Sequence, residues 1–143
     1  MKFDHLGVIV SDISIGRRHF SKIYDIKKWT IEYFDDINGV IVQFGKDDND
    51  FCYELIAPIN EASPVYNSLN KKNSILNHVA YLVDDIDQFF NDKLKGDFLV
   101  LGKPKKAIAY NMNLIQFFYS KEHNYIVELI QSSNHQHIFF DDL

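Results

Sequence analysis

Cysteine, proline and glycine are scarce in this chain, with one, three and six among 143 residues. A single cysteine, Cys52, excludes an intramolecular disulfide and fits a reducing compartment. Apolar runs such as Leu6–Val10 stop far short of the ~20 residues that cross a bilayer. Met1-Lys2-Phe3-Asp4-His5 has no basic head followed by a greasy stretch, so no signal peptide is expected and the expected location is cytoplasmic. Basic residues are outnumbered 15 to 20, for a net charge of −5, and no basic stripe offers itself to a phosphate backbone. The expected partners therefore include neither nucleic acid nor membrane. No Pro/Gly/Ser-rich linker divides the chain, whose length suits one domain. Core material is plentiful: 46% of residues are apolar and 15% aromatic, including 12 Phe and 8 Tyr, which argues against disorder.

An internal repeat organises the chain. Phe3–Ile13 overlays Leu76–Ile86, with His, Val, Asp and Ile recurring at positions 5/78, 10/83, 12/85 and 13/86, a shift of 73 (78 − 5). Glu54-Leu55-Ile56 recurs as Glu128-Leu129-Ile130, a shift of 74 (128 − 54). Each copy reads as an apolar strand (Leu6–Val10; His78–Val83), a capping aspartate (Asp12; Asp85) and a helix (about Ser14–Tyr24; about Ile86–Lys95). Three more strands follow in each: Trp29–Tyr33, Val40–Phe44 and Phe51–Ala57, then Pro104–Tyr110, Leu114–Tyr119 and Tyr125–Gln131. Helical spacing puts Ile15, His19, Phe20, Ile23 and Tyr24 on or near one face of the first helix. The expected fold is α+β, two βαβββ modules with similar sheets side by side. Within a single domain of residues 1–143, the modules cover about 3–59 and 76–131. A polar connection with a short helix fills about 60–75, and 132–143 form a tail.

Four polar residues interrupt these strands at matching places. His5 and His78 head the first strand of each copy, and Glu54 and Glu128 lie inside the last strand of each. A carboxylate within an apolar run is costly to bury unless something positive compensates it. A pseudo-twofold axis between the copies would bring all four together. Two imidazoles and two carboxylates make a mixed site suited to a divalent ion such as Co, Ni, Zn, Mn or Fe. Four protein ligands on an ion that accepts six leave two places for water or substrate. His19 and His123 have no partner at the repeat spacing, and Cys52 reads as a buried, inert thiol. The tail motif His135-Gln136-His137 precedes an apolar Ile138-Phe139-Phe140 and reads as a mobile or docked terminus.

With those residues in place, the paired halves resemble the vicinal oxygen chelate superfamily over about residues 3–131. That superfamily includes glyoxalase I, methylmalonyl-CoA epimerase, extradiol dioxygenases and bleomycin-resistance proteins. The resemblance implies a cup-shaped mixed sheet with His5, Glu54, His78 and Glu128 as metal ligands. Glu54–Ile59 followed by Ser63-Pro64-Val65, then Asn77-His78-Val79 and Val83–Asp87, most resemble the epimerase family. The chain also departs from that family. Ile37 stands where a second catalytic glutamate is usual, with Asp35 and Asp36 close by, and Asn77-His78 replaces His-His. The family's glycine-rich stretch and His-Pro turn become Ala109–Asn113 and Tyr119–Glu122.

The function this implies is a metal-dependent isomerase or lyase. It would polarise a carbonyl or thioester and take the adjacent proton with Glu128 as base, on an acyl-CoA thioester or related carbonyl compound. One alternative is a glyoxalase I-type lyase, although Arg17 and Arg18 on the first helix read as solvated and no basic pocket for glutathione stands out. An extradiol dioxygenase, whose ferrous ion needs only two His and one carboxylate, ranks lower. A further alternative is a non-catalytic binding or resistance protein that uses aromatics such as Trp29, Tyr33, Phe44, Tyr110, Phe117, Phe118 and Tyr119. The resemblance implies a homodimer, with which the apolar tail is compatible.

Overall fold

Alternation of side chains decides the layers. In β5 (Cys52–Pro58), Cys52 and Ile56 face one core while Tyr53, Leu55 and Ala57 face another. In β9 (Ile126–Gln131), Ile130 faces the first core, and Val127 and Leu129 turn to the opposite face of the sheet. Both strands are apolar on both faces because both faces are covered. The computed structural model describes residues 1–70 and 76–141.

The first module runs β1 (Lys2–Ile9), α1 (Ile13–Tyr24), β2 (Lys28–Trp29), β3 (Tyr33–Asp35), β4 (Val40–Lys46) and β5. After α2 (Tyr66–Asn70), the second runs β6 (Leu76–Val83), α3 (Ile86–Phe89), a π-helical turn at Phe90–Leu94, β7 (Phe98–Ala107), a 3-10 turn at Ile108–Tyr110, β8 (Asn113–Ser120) and β9. A short β10 (Phe140–Asp141) ends the described chain. The strands form one mixed sheet in the order β10-β2-β4-β5-β1-β6-β9-β8-β7, with β3 beside β4. The two modules meet where β1 pairs antiparallel with β6, so the expected side-by-side sheets are one continuous sheet. Each first strand also pairs parallel with its own module's last strand, β1 with β5 and β6 with β9.

Both helices start where expected. The Asp12 side chain accepts from the backbone N–H of Ile15, and that of Asp85 from Gln88. The helices pack against one face of the sheet, α1 over Val8, Leu55 and Ala57, and α3 over Val83, Val127 and Leu129. The opposite face carries a core shared by both modules, from Val42 and Phe44 to Leu82 and Ile130. Complete burial of a side chain such as Leu55 or Leu129 contributes roughly 1.5–3 kcal/mol.

Some local expectations are corrected. The buried face of α1 is Ile13, Gly16 and Phe20, whereas Ile15, His19, Ile23 and Tyr24 are exposed. A Cβ on Gly16 would press to 2.9 Å from Val10, so the missing side chain lets that face of the helix sit down. The strand expected over Trp29–Tyr33 is broken. The Thr30 hydroxyl accepts from the backbone N–H of Phe44, taking the place of a ladder partner. The second helix changes winding at Phe90, where the N–H of Lys95 bonds five residues back. Residues 71–75 of the connection and 142–143 of the tail lie outside the described residues. Among the described residues, no helix is long and apolar enough to cross a membrane.

Candidate metal centre

The strand registers place the four candidate ligands. Across the β1–β6 junction, His5 pairs with Ala80 and His78 with Gly7. One strand further out, Gly7 pairs with Glu54 and Ala80 with Glu128. Each module thus extends its histidine toward a small residue on the other module's first strand, beside that module's glutamate. Space is tight at Gly7, where an added Cβ would lie 2.5 Å from Nδ1 of His78 and 2.6 Å from Nε2. Beyond the glutamates, Phe44 pairs with Glu54 and Phe117 with Glu128. Phe44 meets His5 edge to face at 5.3 Å between centroids, and Phe117 meets His78 at the same distance. These phenylalanines also obey the 73-residue shift (117 − 44), a signal that a search restricted to polar residues passes over.

All four side chains are buried and their donor atoms converge. Nε2 of His5 lies 2.7 Å from Oε2 of Glu54, 3.3 Å from Oε1 of Glu128 and 2.9 Å from Nε2 of His78. Nε2 of His78 lies 3.3 Å from the same Glu54 oxygen and 3.1 Å from the same Glu128 oxygen. Yet Glu54 Oε2 and Glu128 Oε1 make no hydrogen bond. Without a cation, only the charge of the facing imidazoles compensates these buried oxygens. Their proximity to the imidazoles is that of groups aimed at a common point. Ligand atoms about 2.1 Å from a divalent ion, at right angles to each other, stand roughly 3.0 Å apart, close to the observed spacing. The donor set fits a divalent cation.

In the absence of a cation the charges settle differently. Burial opposes charging His5, but the Glu54 carboxylate and the hydrogen bond to Asp4 override it, holding the imidazole protonated well above its usual range. Burial likewise opposes the charged form of His78, and Glu128 and Glu54 raise it. Glu54 is resisted by burial and lowered to about 2 by the charge of His5. Protons therefore compete with a metal here.

Each histidine is also held from behind by the residue before it. Nδ1 of His5 is 2.8 Å from Oδ2 of Asp4, and Nδ1 of His78 is 2.8 Å from Oδ1 of Asn77. Both contacts direct the Nε2 lone pair inward. Asp4 also accepts from the Tyr110 hydroxyl at 2.7 Å and faces Nε2 of His137 at 2.9 Å. Asp4, His5 and His137 form a second cluster of metal-ligand type, but here the converging atoms, Oδ2 of Asp4, Nδ1 of His5 and Nε2 of His137, already meet in hydrogen bonds. Hydrogen bonding alone accounts for it. Asp4 and Asn77 follow the 73-residue shift, whereas Tyr110 and His137 have no counterpart in the repeat.

The cluster opens onto a cavity of about 230 Å³. Glu54, His78 and Glu128 of the cluster line it, and Val42, Ile56, Ile115 and Phe117 contribute apolar lining. Asp35 lines this cavity; Asp36 and Ile37 border a separate surface depression. Lys103 and Lys105 stand exposed on its wall. Arg17 and Arg18 line a different cleft, beside Trp29. Of the expected aromatics, Tyr110 and Phe117 line the cavity, while Trp29 and Phe118 pack beneath the helices. Cys52 is buried and its thiol is pushed up to about 12, chiefly by burial. His19 and His123 are exposed.

Comparison with known proteins gives matching results. The sequence profile of the Glyoxalase/Bleomycin resistance protein/Dioxygenase superfamily matches residues 4–117. Comparison with curated protein sequences found no match. Among solved structures, methylmalonyl-CoA epimerase from Mycobacterium tuberculosis is similar, with a TM-score of 0.75 and 19% identity over 90% of this chain and 86% of that one. A variant of Streptomyces coelicolor methylmalonyl-CoA epimerase in complex with 2-nitronate-propionyl-CoA gives 0.76 and 21%, over 96% and 99%. A methylmalonyl-CoA epimerase in complex with methylmalonyl-CoA and NH4+ gives 0.75 and 22%, over 96% and 98%. At such identities the likeness speaks to the fold.

Proposed function

The chain belongs to the Glyoxalase/Bleomycin resistance protein/Dioxygenase superfamily, and from that premise we propose that it is a metal-dependent isomerase. On this reading His5, Glu54, His78 and Glu128 hold a divalent cation, and the reaction takes the proton next to a thioester carbonyl. The observation that carries it is the pair of buried carboxylate oxygens, one from each module, that face two imidazoles without a hydrogen bond. When bound, the cation would supply charge stabilisation for an oxygen of the substrate.

The chain's own residues do the rest. Glu128, on the cavity wall, takes the proton; general-base catalysis of this kind is worth roughly 10²–10⁴-fold. Asp4 and Asn77 hold the imidazoles, and the apolar lining excludes water from the reacting carbon. Inversion needs a second proton-transfer group, and we assign it to Asp35, because Asp36 and Ile37 lie outside the cavity. Lys103 and Lys105 suit an anionic substrate, and the acyl-CoA ligands named for two of the similar structures favour an acyl-CoA thioester.

A glyoxalase-type lyase shares the same four ligands, but Arg17 and Arg18 line another cleft and supply no anion pocket beside them. We place the enzyme in the reducing cytoplasm, which its lone cysteine fits, and treat residues 1–143 as one functional unit because both modules build one site. Pairing into a homodimer completes the proposal. Exposed Leu99, Val100 and Leu101 on the edge strand β7 support it.

The test is solvent deuterium incorporation into methylmalonyl-CoA by Co(II)-loaded protein, beside a Glu128→Gln variant. Exchange by the wild type that falls by two orders of magnitude or more in the variant is expected. Metal-loaded protein that binds the thioester without exchange would instead mark a binding protein.

A further inference from the structure

The segment after β9 leaves the module it follows and crosses to the other. Phe140 and Asp141 pair with Trp29 and Lys28 on β2. Phe139 packs on the shared core, and the Lys46 ammonium stands 5.0 Å from its ring centroid. Between these anchors and β9, the His137 ring lies over Phe44, with centroids 4.1 Å apart and planes at 28°. Its Nε2 is 2.9 Å from Oδ2 of Asp4, the oxygen that also meets Nδ1 of His5 and the Tyr110 hydroxyl. Both side chains of the His137–Asp4 pair are only 6% exposed. At His78 the equivalent position is served by Asn77. The tail contact is therefore an addition to one half of the repeat.

We propose that His137 is a positioning residue of the metal centre: it donates to Asp4, and so fixes the carboxylate that orients His5. This rests on the metal reading above. An imidazole that binds a cation through one nitrogen needs a partner on the other to set its tautomer and plane. Asp4 is that partner, and it adjoins His5 on β1. Donors from three directions leave its carboxylate a single orientation. A neutral imidazole that donates from Nε2 accepts at Nδ1, and Nε2 of His135 stands 3.3 Å from that atom, within reach to donate to it. Because β10 pairs with β2, the backbone carries His137 to this point, and the tail is part of the centre.

The experiment uses the full chain and Co(II) as probe, with affinity measured by competition with a chelator and ligand geometry read from the visible spectrum. His137→Phe keeps a flat ring over Phe44 and removes the donor; His137→Gln restores a donor. The expected result is Co(II) affinity roughly 10–100-fold weaker in the Phe variant, with an altered spectrum and the same stoichiometry. The Gln variant should recover most of both. Asp4→Asn should weaken binding similarly, and adding His137→Phe to it should cost little more, since both act on His5. Wild-type affinity and spectrum in the Phe variant would overturn the proposal, as would equal weakening in the Phe and Gln variants. A wild type that takes up no Co(II) would remove the metal reading and this inference together. A wild type that loads while the Phe variant loads equally well removes this inference alone.

Discussion

Gly7→Ala adds one methyl group where β1 runs under the His78 imidazole. Its Cβ would stand 2.5 Å from Nδ1 and 2.6 Å from Nε2, against 3.4–4 Å for ordinary contact. Gly7 is not among the residues with positive φ, so alanine meets no backbone strain and the effect is steric. The ring must retreat by roughly 1 Å, whereas metal–ligand distances tolerate only about ±0.2 Å. We therefore expect Co(II) affinity to fall by at least tenfold. Overpacking of this kind costs about 1–3 kcal/mol, so the metal-free protein should also melt several degrees lower. Chelator competition measures the first effect and thermal unfolding without metal the second. Unchanged Co(II) affinity in an alanine variant that folds normally would refute the placement of His78 across Gly7.

Other outcomes follow from the same geometry. Asp35→Asn should retain deuterium exchange into the substrate enantiomer that Glu128 deprotonates and lose inversion; loss of both together would reject its assignment as second proton-transfer group. Raised imidazoles contribute stability below their ordinary value of 6.5 and lose it as pH rises through the folded value, while Glu54, lowered to about 2, contributes above its ordinary 4.5 and loses it as pH falls. The metal-free protein should thus melt highest between those two values, and the rise in Tm caused by Co(II) should grow from pH 6 to pH 8 as protons are displaced. A metal-induced rise independent of pH over that range would contradict the competition. Iodoacetamide should leave Cys52 unmodified in the native protein and label it in urea, because burial keeps the thiol protonated; rapid native labelling would contradict its placement.

Duplication is what makes this site readable from sequence. His5, Glu54, His78 and Glu128 can be picked out because each has a partner at nearly one shift, and the register of a β-sheet carries that shift into space. The same shift links Asp4 to Asn77, Gly7 to Ala80 and Phe44 to Phe117, so a repeat search over every residue type also finds the supports around the ligands. His137 escapes such a search. It has no counterpart, and its position depends on β10 finding β2 across more than a hundred residues of chain. Helical spacing groups the apolar residues of α1 without saying which of them are covered, for a related reason. Ile15, Ile23 and Tyr24 are apolar enough for a core, but the close approach that Gly16 permits decides which face is covered.

Metal titration of the purified chain tests the central claim most directly. The account predicts one divalent ion per chain, with Glu54→Gln and Glu128→Gln each greatly weakening its binding and Cys52→Ala leaving it unchanged. Failure of the wild type to retain Co, Ni, Zn, Mn or Fe at neutral pH, or retention undiminished in both glutamine variants, would contradict it.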